Sequence, residues 1–276
     1  MVNYQLSKRQ TWFHLLLATS VITASNISVS ASQSVAIDIT DIIKGTVEYV
    51  QIANISDEQE IEIGKQTNQQ VLSQYQLYNN SQIQQYVSDL GQELVSASDS
   101  RDIPFNFQVV SSDEVNAFAT PGGFVYVTTG LLKTAENRAQ LASVMAHEIA
   151  HINEKHGVKA LKQAVAAQGL AGAAGVETSQ LAQIAYQLTL DLPQSRSFEY
   201  EADNSGLQIL QQSGYPAEAF ADFLAKLESS GNTPEFIRTH PSSENRIKAI
   251  SQNTQISNNN KGQDPTGYSN KVLSLL

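Results

Sequence analysis

The sequence contains no cysteine. That absence excludes disulfides, a thiolate metal site and a lipidated N-terminal cysteine. Any metal centre must therefore be built from histidine and carboxylate. Basic residues are scarce: 17 Lys and Arg stand against 27 Asp and Glu, for a net charge of -10. An acidic surface of this kind argues against nucleic acid as a partner and against charge-driven binding to anionic lipid. Long apolar runs are also missing. The longest stretch, Trp12 to Ala24, is short of the ~20 residues that span a bilayer. A hydrophobic content of 41% over 276 residues is nonetheless compatible with a globular core and with one large domain or two small ones.

The short apolar stretch has the pattern of an export signal. Lys8 and Arg9 precede it, and Val29-Ser30-Ala31 offers small residues for cleavage after Ala31. Residues 1–31 are accordingly expected to be a signal peptide and 32–55 an N-terminal extension. The expected location is exported and periplasmic, or another extracytoplasmic compartment, soluble or peripherally associated with a membrane.

Three of the five histidines fall within ten residues, in a helical stretch containing His147-Glu148-Ile149-Ala150-His151. Positions i and i+4 share a helix face, so His147 and His151 can ligate one ion. Glu148, one step around, can act as general base on a metal-bound water. Three fixed positions also arise in unrelated helices, so the remaining chain must support the reading. Catalytic zinc takes a third protein ligand and keeps one position open. Glu199 is the best candidate, with Asp203 four residues on and able to accept a hydrogen bond from a ligating histidine. Glu201 points about 200° away from Glu199 around the helix and is the poorer choice.

Helical spacing predicts helices over about 57–75, from Asn80 or Ser81 to Leu94, from Thr134 to about His156, over two stretches within 158–190, and from Ser195 to Gln212. Two more follow Pro216 and Pro241. Phe105, Phe107 and Val109 read as one strand. Asn116–Ala119 and Phe124–Thr128 read as a pair around Pro121-Gly122-Gly123. Residues 253–276 are rich in Asn, Gln and Ser and are expected to be disordered, with Val272-Leu273 and Leu275-Leu276 able to dock.

The ordered motifs together resemble one zinc metallopeptidase family, which includes the CAAX prenyl protease type 1, HtpX and the mitochondrial overlapping-activity protease. They are Glu60-Ile-Glu-Ile-Gly64, Tyr86-Val-Ser-Asp-Leu-Gly91, Asn116 through Gly130, His147 to His151, Ser195 to Asp203, and Thr239-His240-Pro241. The exported, BepA-like branch fits best. The resemblance implies an α+β fold: a mainly helical zincin-like (gluzincin) metalloprotease domain over 56–252, with a small β-sheet beside the active-site helix. It implies one Zn2+ per chain on His147, His151 and Glu199, with Glu148 as general base. It makes Asn116, Ala117, Phe118 and Ala119 an edge strand for extended substrate. It also gives His240 a role as a removable fourth zinc ligand that keeps the enzyme latent, with Arg246 tying its loop down. His156 is read as structural. The expected partners are unfolded or misassembled protein substrates. The other reading is a chaperone-like assembly factor with a closed zinc site.

Overall fold

A computed structural model describes residues 49–169, 175–191, 195–229, 231, 233–241, 244–253 and 260–276. The expected signal peptide and most of the N-terminal extension lie outside the described residues. Among the described residues no helix is long and apolar enough to cross a membrane.

The architecture is α+β and mainly helical, as expected for a zincin-like metalloprotease domain. Helix α1 (Asp57–Gln74) starts at a reciprocal cap between Ser56 and Gln59, and α2 (Ser81–Ser96) is capped by Asn80. Such caps satisfy backbone N–H groups that have no partner within the helix. A three-stranded sheet follows in the order β2-β4-β3, numbering the short strand Tyr49–Val50 as β1. Strand β2 (Asn106–Val110) runs parallel to β4 (Phe124–Thr128), and among the described residues β3 (Ala117–Thr120) pairs antiparallel with β4 alone. Thus β3 is an edge. β1 pairs separately with β5 (Val176–Glu177).

The expected single helix from Thr134 to His156 is three elements. Thr134 ends α3 (Thr129–Thr134), and Asn137 rather than Thr134 caps α4 (Arg138–Asn153) by accepting from the Gln140 N–H. α4 ends before His156 because Lys155 adopts a left-handed conformation, φ 55°, which turns the chain into α5 (His156–Ala167). The following helices are α6 (Thr178–Asp191), α7 (Arg196–Gln212), α8 (Glu218–Ser229), the one-turn α9 (Glu235–Thr239) and α10 (Glu244–Asn253).

α4 is the axis of the fold, with every residue from Ala139 to Ile152 buried. It packs against α7, α8, α2 and β3. Its five large apolar side chains, Leu141, Val144, Met145, Ile149 and Ile152, are nearly inaccessible. At about 2 kcal/mol each they contribute on the order of 10 kcal/mol. That exceeds the roughly 1–3 kcal/mol for each buried polar atom the same helix leaves without a directed hydrogen bond.

The expectation of a disordered tail fails over residues 260–276. α11 (Pro265–Lys271) is capped by Asp264, buries Tyr268 and is followed by buried Val272. The Tyr268 hydroxyl donates to the Leu132 carbonyl at 2.8 Å. Val272 is one of the residues read as able to dock; Tyr268 is an anchor that the polar composition concealed.

Candidate metal centre and catalytic cleft

The one-turn spacing on α4 brings His147 and His151 together, with their Nε2 atoms 3.1 Å apart. α7 crosses α4 at Gly206, where a Cβ would stand 3.2 Å from the His147 Cα. A side chain there would hold the helices apart. This close approach delivers Glu199, in the first turn of α7, to the two rings. Its Oε1 is 3.4 Å from His151 Nε2 and its Oε2 is 3.6 Å from His147 Nε2. His240, at the C-terminal end of α9, adds Nδ1 at 3.1 Å from Glu199 Oε1 and 3.4 Å from His147 Nε2. Phe236, stacked on the His240 ring at 4.7 Å, orients it.

These four residues are all buried and offer one donor atom each within a single small space. Contacts of 3.1–3.6 Å link them, and the four ligating atoms all lie within 4.8 Å of one another; an ion with bonds of ~2.0–2.1 Å places tetrahedral ligands about 3.3 Å apart. Glu199 Oε2 has no directed hydrogen-bond donor, although the Arg246 guanidinium stands 2.7 Å away as an ion pair. Four buried side chains that can each turn a lone pair into one small space are what a cation would satisfy. The residues therefore fit zinc.

The electrostatics agree. Burial opposes charge on Glu199, but the neighbouring histidines outweigh it and hold the carboxyl well below its ordinary range. Burial likewise opposes charge on His147, but Asp203 and Glu199 lift its pKa to about 9. Burial drives His151 down to about 3. Glu148 is pushed up by burial, partly offset by His240 and His147 and by a backbone hydrogen bond from Ala119. A carboxyl with a raised pKa both accepts and returns a proton more readily at neutral pH.

Asp203 Oδ1 lies 3.3 Å from His147 Nδ1, behind the ring and away from the other donors. Arg246 holds Asp203, and its Nη1 donates to the Pro241 carbonyl at 2.9 Å, beside His240. His240 Nε2 lies 3.5 Å from Glu148 Oε1. The ring therefore stands between Glu148 and the other donors.

Next to this cluster is a cavity of roughly 30 Å³ lined by Phe118 and Ala119 of β3, Glu148, His151, Leu188 of α6 and His240. Space on that scale holds water and no peptide. Of the four expected substrate-binding residues, only Phe118 and Ala119 face it. Asn116 uses its backbone towards β4, donating to Thr128 Oγ1 and accepting from the Thr128 N–H.

Sequence reasoning missed two groups. Glu60, 2% exposed, accepts from Arg101 and from the Gly122 N–H, bracing the β3–β4 turn. His156 touches His151 through their Nδ1 atoms at 2.9 Å. A buried acid in Glu60-Ile-Glu-Ile-Gly64 was a usable signal for the first. The second depended on the bend at Lys155, for which the sequence carries no mark.

The chain is 35% identical over 212 residues to the beta-barrel assembly-enhancing protease of Escherichia coli (strain K12), covering 71% of this chain and 44% of that protein. To the Yersinia pestis protein of the same name it is 31% identical over 219 residues, 71% of this chain and 44% of that one. To the mitochondrial metalloendopeptidase OMA1 of Schizosaccharomyces pombe it is 30% identical over 221 residues, 74% of this chain and 66% of that protein. The chain thus spans less than half the length of the two bacterial relatives. The profile described as peptidase family M48 matches residues 81–254, a span containing all four converging donors and Glu148. The chain belongs to peptidase family M48.

Proposed function

We propose that this chain is a zinc-dependent endopeptidase of the extracytoplasmic space that degrades misfolded or unassembled exported proteins and is held latent by His240. One observation carries the reading: Glu148 lies beside a buried cluster of four possible ligands, and the ring of one of them, His240, stands between Glu148 and the other three. His147, His151 and Glu199 are the proposed zinc ligands, and Asp203 supports His147 from behind. The names of the relatives, a protease linked to barrel assembly and a metalloendopeptidase, support peptide hydrolysis and an exported protein substrate. The pattern from Lys8 to Ala31 supports export.

His147, His151 and Glu199 would hold the zinc ion, which would lower the pKa of a water towards ~7 and polarise the scissile carbonyl. Glu148 accepts the proton of the attacking water and delivers it to the leaving amine nitrogen as the peptide C–N bond breaks. Extended substrate lies along the β3 edge at Phe118 and Ala119, where main-chain pairing gives loose sequence preference. His240 would have to swing out first, because its ring stands between Glu148 and the other three proposed ligating groups.

The test uses purified protein loaded with one zinc and an unfolded casein substrate. Slow cleavage by the wild type, faster cleavage by His240→Ala and none by Glu148→Gln at full zinc content are expected. If His240→Ala binds zinc and cleaves nothing, the enzyme reading fails. The closed four-donor site would then favour a chaperone-like assembly factor.

A further inference from the structure

Behind His151, on the side away from the converging donors, runs a second line of polar side chains. His151 Nδ1 lies 2.9 Å from His156 Nδ1. His156 Nε2 lies 3.1 Å from Glu201 Oε2, which also accepts from Lys159 Nζ at 3.2 Å. The His156 ring is 1% exposed and lies flat on Phe198, with centroids 4.4 Å apart and planes within 12°. The line joins α4, α5 and α7 and ends at the surface, where Glu201 is 47% exposed.

The protons along this line can be assigned in order. The Glu201 oxygen that faces His156 also accepts from the Lys159 ammonium, so its carboxylate is the acceptor for both. His156 must therefore carry its proton on Nε2. A ring that donates from Nε2 to Glu201 offers Nδ1 to His151 as an acceptor. Two bare nitrogens do not approach to 2.9 Å; His151 must donate from Nδ1. Its lone pair is then on Nε2, directed at Glu199 and His147.

We propose that His156 and Glu201 are positioning residues that fix the tautomer and ring orientation of His151 as a metal ligand. This rests on reading His151 as a ligand. It also gives a role to Glu201, which points away from the donors and acts only through the intervening ring. His147 is backed directly by a carboxylate, Asp203; His151 is backed by an imidazole that a carboxylate orients. Outer partners of this type change metal affinity by about 10–100-fold when removed.

The experiment measures Zn2+ affinity by chelator competition and the visible spectrum of the Co2+-loaded full chain. His156→Phe keeps a ring on Phe198 and removes the acceptor. It should raise the zinc Kd about 10-fold or more and shift the cobalt bands, with the melting point of the metal-free protein unchanged. In His156→Asn, Oδ1 can stand where Nδ1 stood, and this variant should recover most of the affinity. Glu201→Ala, at the surface, should raise Kd about threefold or more and carries the test if His156→Phe does not fold. The proposal is overturned if the decisive variant stays within about twofold of wild type or keeps its cobalt spectrum. It is equally overturned if the Asn variant is as weak as the Phe variant, which would assign the loss to packing. His151→Ala is the separate control: if it binds zinc as tightly as wild type, the ligand reading itself fails.

Discussion

Arg246 grips Asp203 through two parallel hydrogen bonds, Nε to Oδ2 and Nη2 to Oδ1, both 2.7 Å. Its remaining nitrogen donates to the Pro241 carbonyl at 2.9 Å and lies 2.7 Å from Glu199 Oε2. One guanidinium, 2% exposed, therefore ties α7 to the loop that carries His240. Removing one partner of a buried pair leaves the other charge uncompensated, at about 3–5 kcal/mol. Arg246→Ala should lower unfolding free energy by about 3 kcal/mol or more in denaturant titrations. Arg246→Lys should recover little, since a single ammonium cannot reproduce the planar fork. A loss below about 1 kcal/mol would mean that the fork does not hold the two elements together.

Glu199 turns one carboxylate oxygen towards each α4 histidine. Replacing it by alanine removes a ligand and leaves the Arg246 charge facing two rings. Glu199→Ala should bind zinc at least about 10-fold more weakly, measured by metal content after dialysis against a chelator. Unchanged zinc content would remove Glu199 from the ligand set. Glu148→Gln, which touches none of the ligating atoms proposed, should keep its metal in the same assay.

α1 reaches the cleft through Gly64. A Cβ at that position would stand 2.2 Å from the Pro121 carbonyl oxygen, in the turn that links β3 to β4. The same turn is fixed from α1 by Glu60, which accepts from the Gly122 N–H at 3.2 Å. Gly64→Ala must push helix and turn apart, at about 1–3 kcal/mol. A drop in Tm of about 4 °C or more is expected, with activity falling further than stability because β3 moves with the turn. A variant with wild-type Tm would show that α1 can retreat at no cost.

Pairs fixed by one helical turn were legible before the fold was known. His147 with His151 and Glu199 with Asp203 needed only the 3.6-residue repeat. The breaks between α3, α4 and α5 were not, because Thr134 and Asn137 are both acceptable caps and only packing selects Asn137. The bend at Lys155 is a left-handed residue without a glycine to announce it. With that bend unseen, His156 read as the tail of the same helix, and its contact with His151 was out of reach. The tail differed in another way: Val272 was legible as a docking residue, but the second buried anchor, Tyr268, was concealed by the polar composition around it. Arg246 was suggested as a tether for the His240 loop, but its bidentate hold on Asp203 is a tertiary fact.

The docked C-terminal segment should be acid-sensitive. Lys261 Nζ lies 2.6 Å from Glu93 Oε1 and donates to the Ser213 carbonyl at 2.6 Å, with the Tyr215 ring 4.4 Å away. Burial works against charge on Glu93, but Lys261 and Arg138 outweigh it and hold the carboxyl below its ordinary value. A depressed folded pKa contributes stability that is present above the unfolded value and lost as pH falls through the folded one. Loosening of residues 260–276 should therefore set in below about pH 4.5, the ordinary glutamate value. Both side chains are more than a third exposed, so the effect is modest and screened by salt. Amide exchange of this segment against pH checks it, and Glu93→Gln should remove the dependence.

His147 links metal binding to pH. Its two carboxylate neighbours lift its pKa to about 9, so at pH 7 the metal-free ring carries a proton that a ligand must lose. Zinc binding should release about one proton from this residue, and apparent affinity should rise about tenfold per pH unit up to about pH 9. In the metal-free fold the sign is reversed. A histidine with a raised folded pKa contributes stability fully below about pH 6.5, lost as pH rises through about 9. Titration calorimetry in buffers of different ionisation enthalpy reads the released proton directly. Asp203→Asn removes one of the lifting charges and should reduce both the proton release and the slope. A binding heat independent of buffer would show that His147 carries no proton in the metal-free protein, and that the donor set is already in its ligating form at neutral pH.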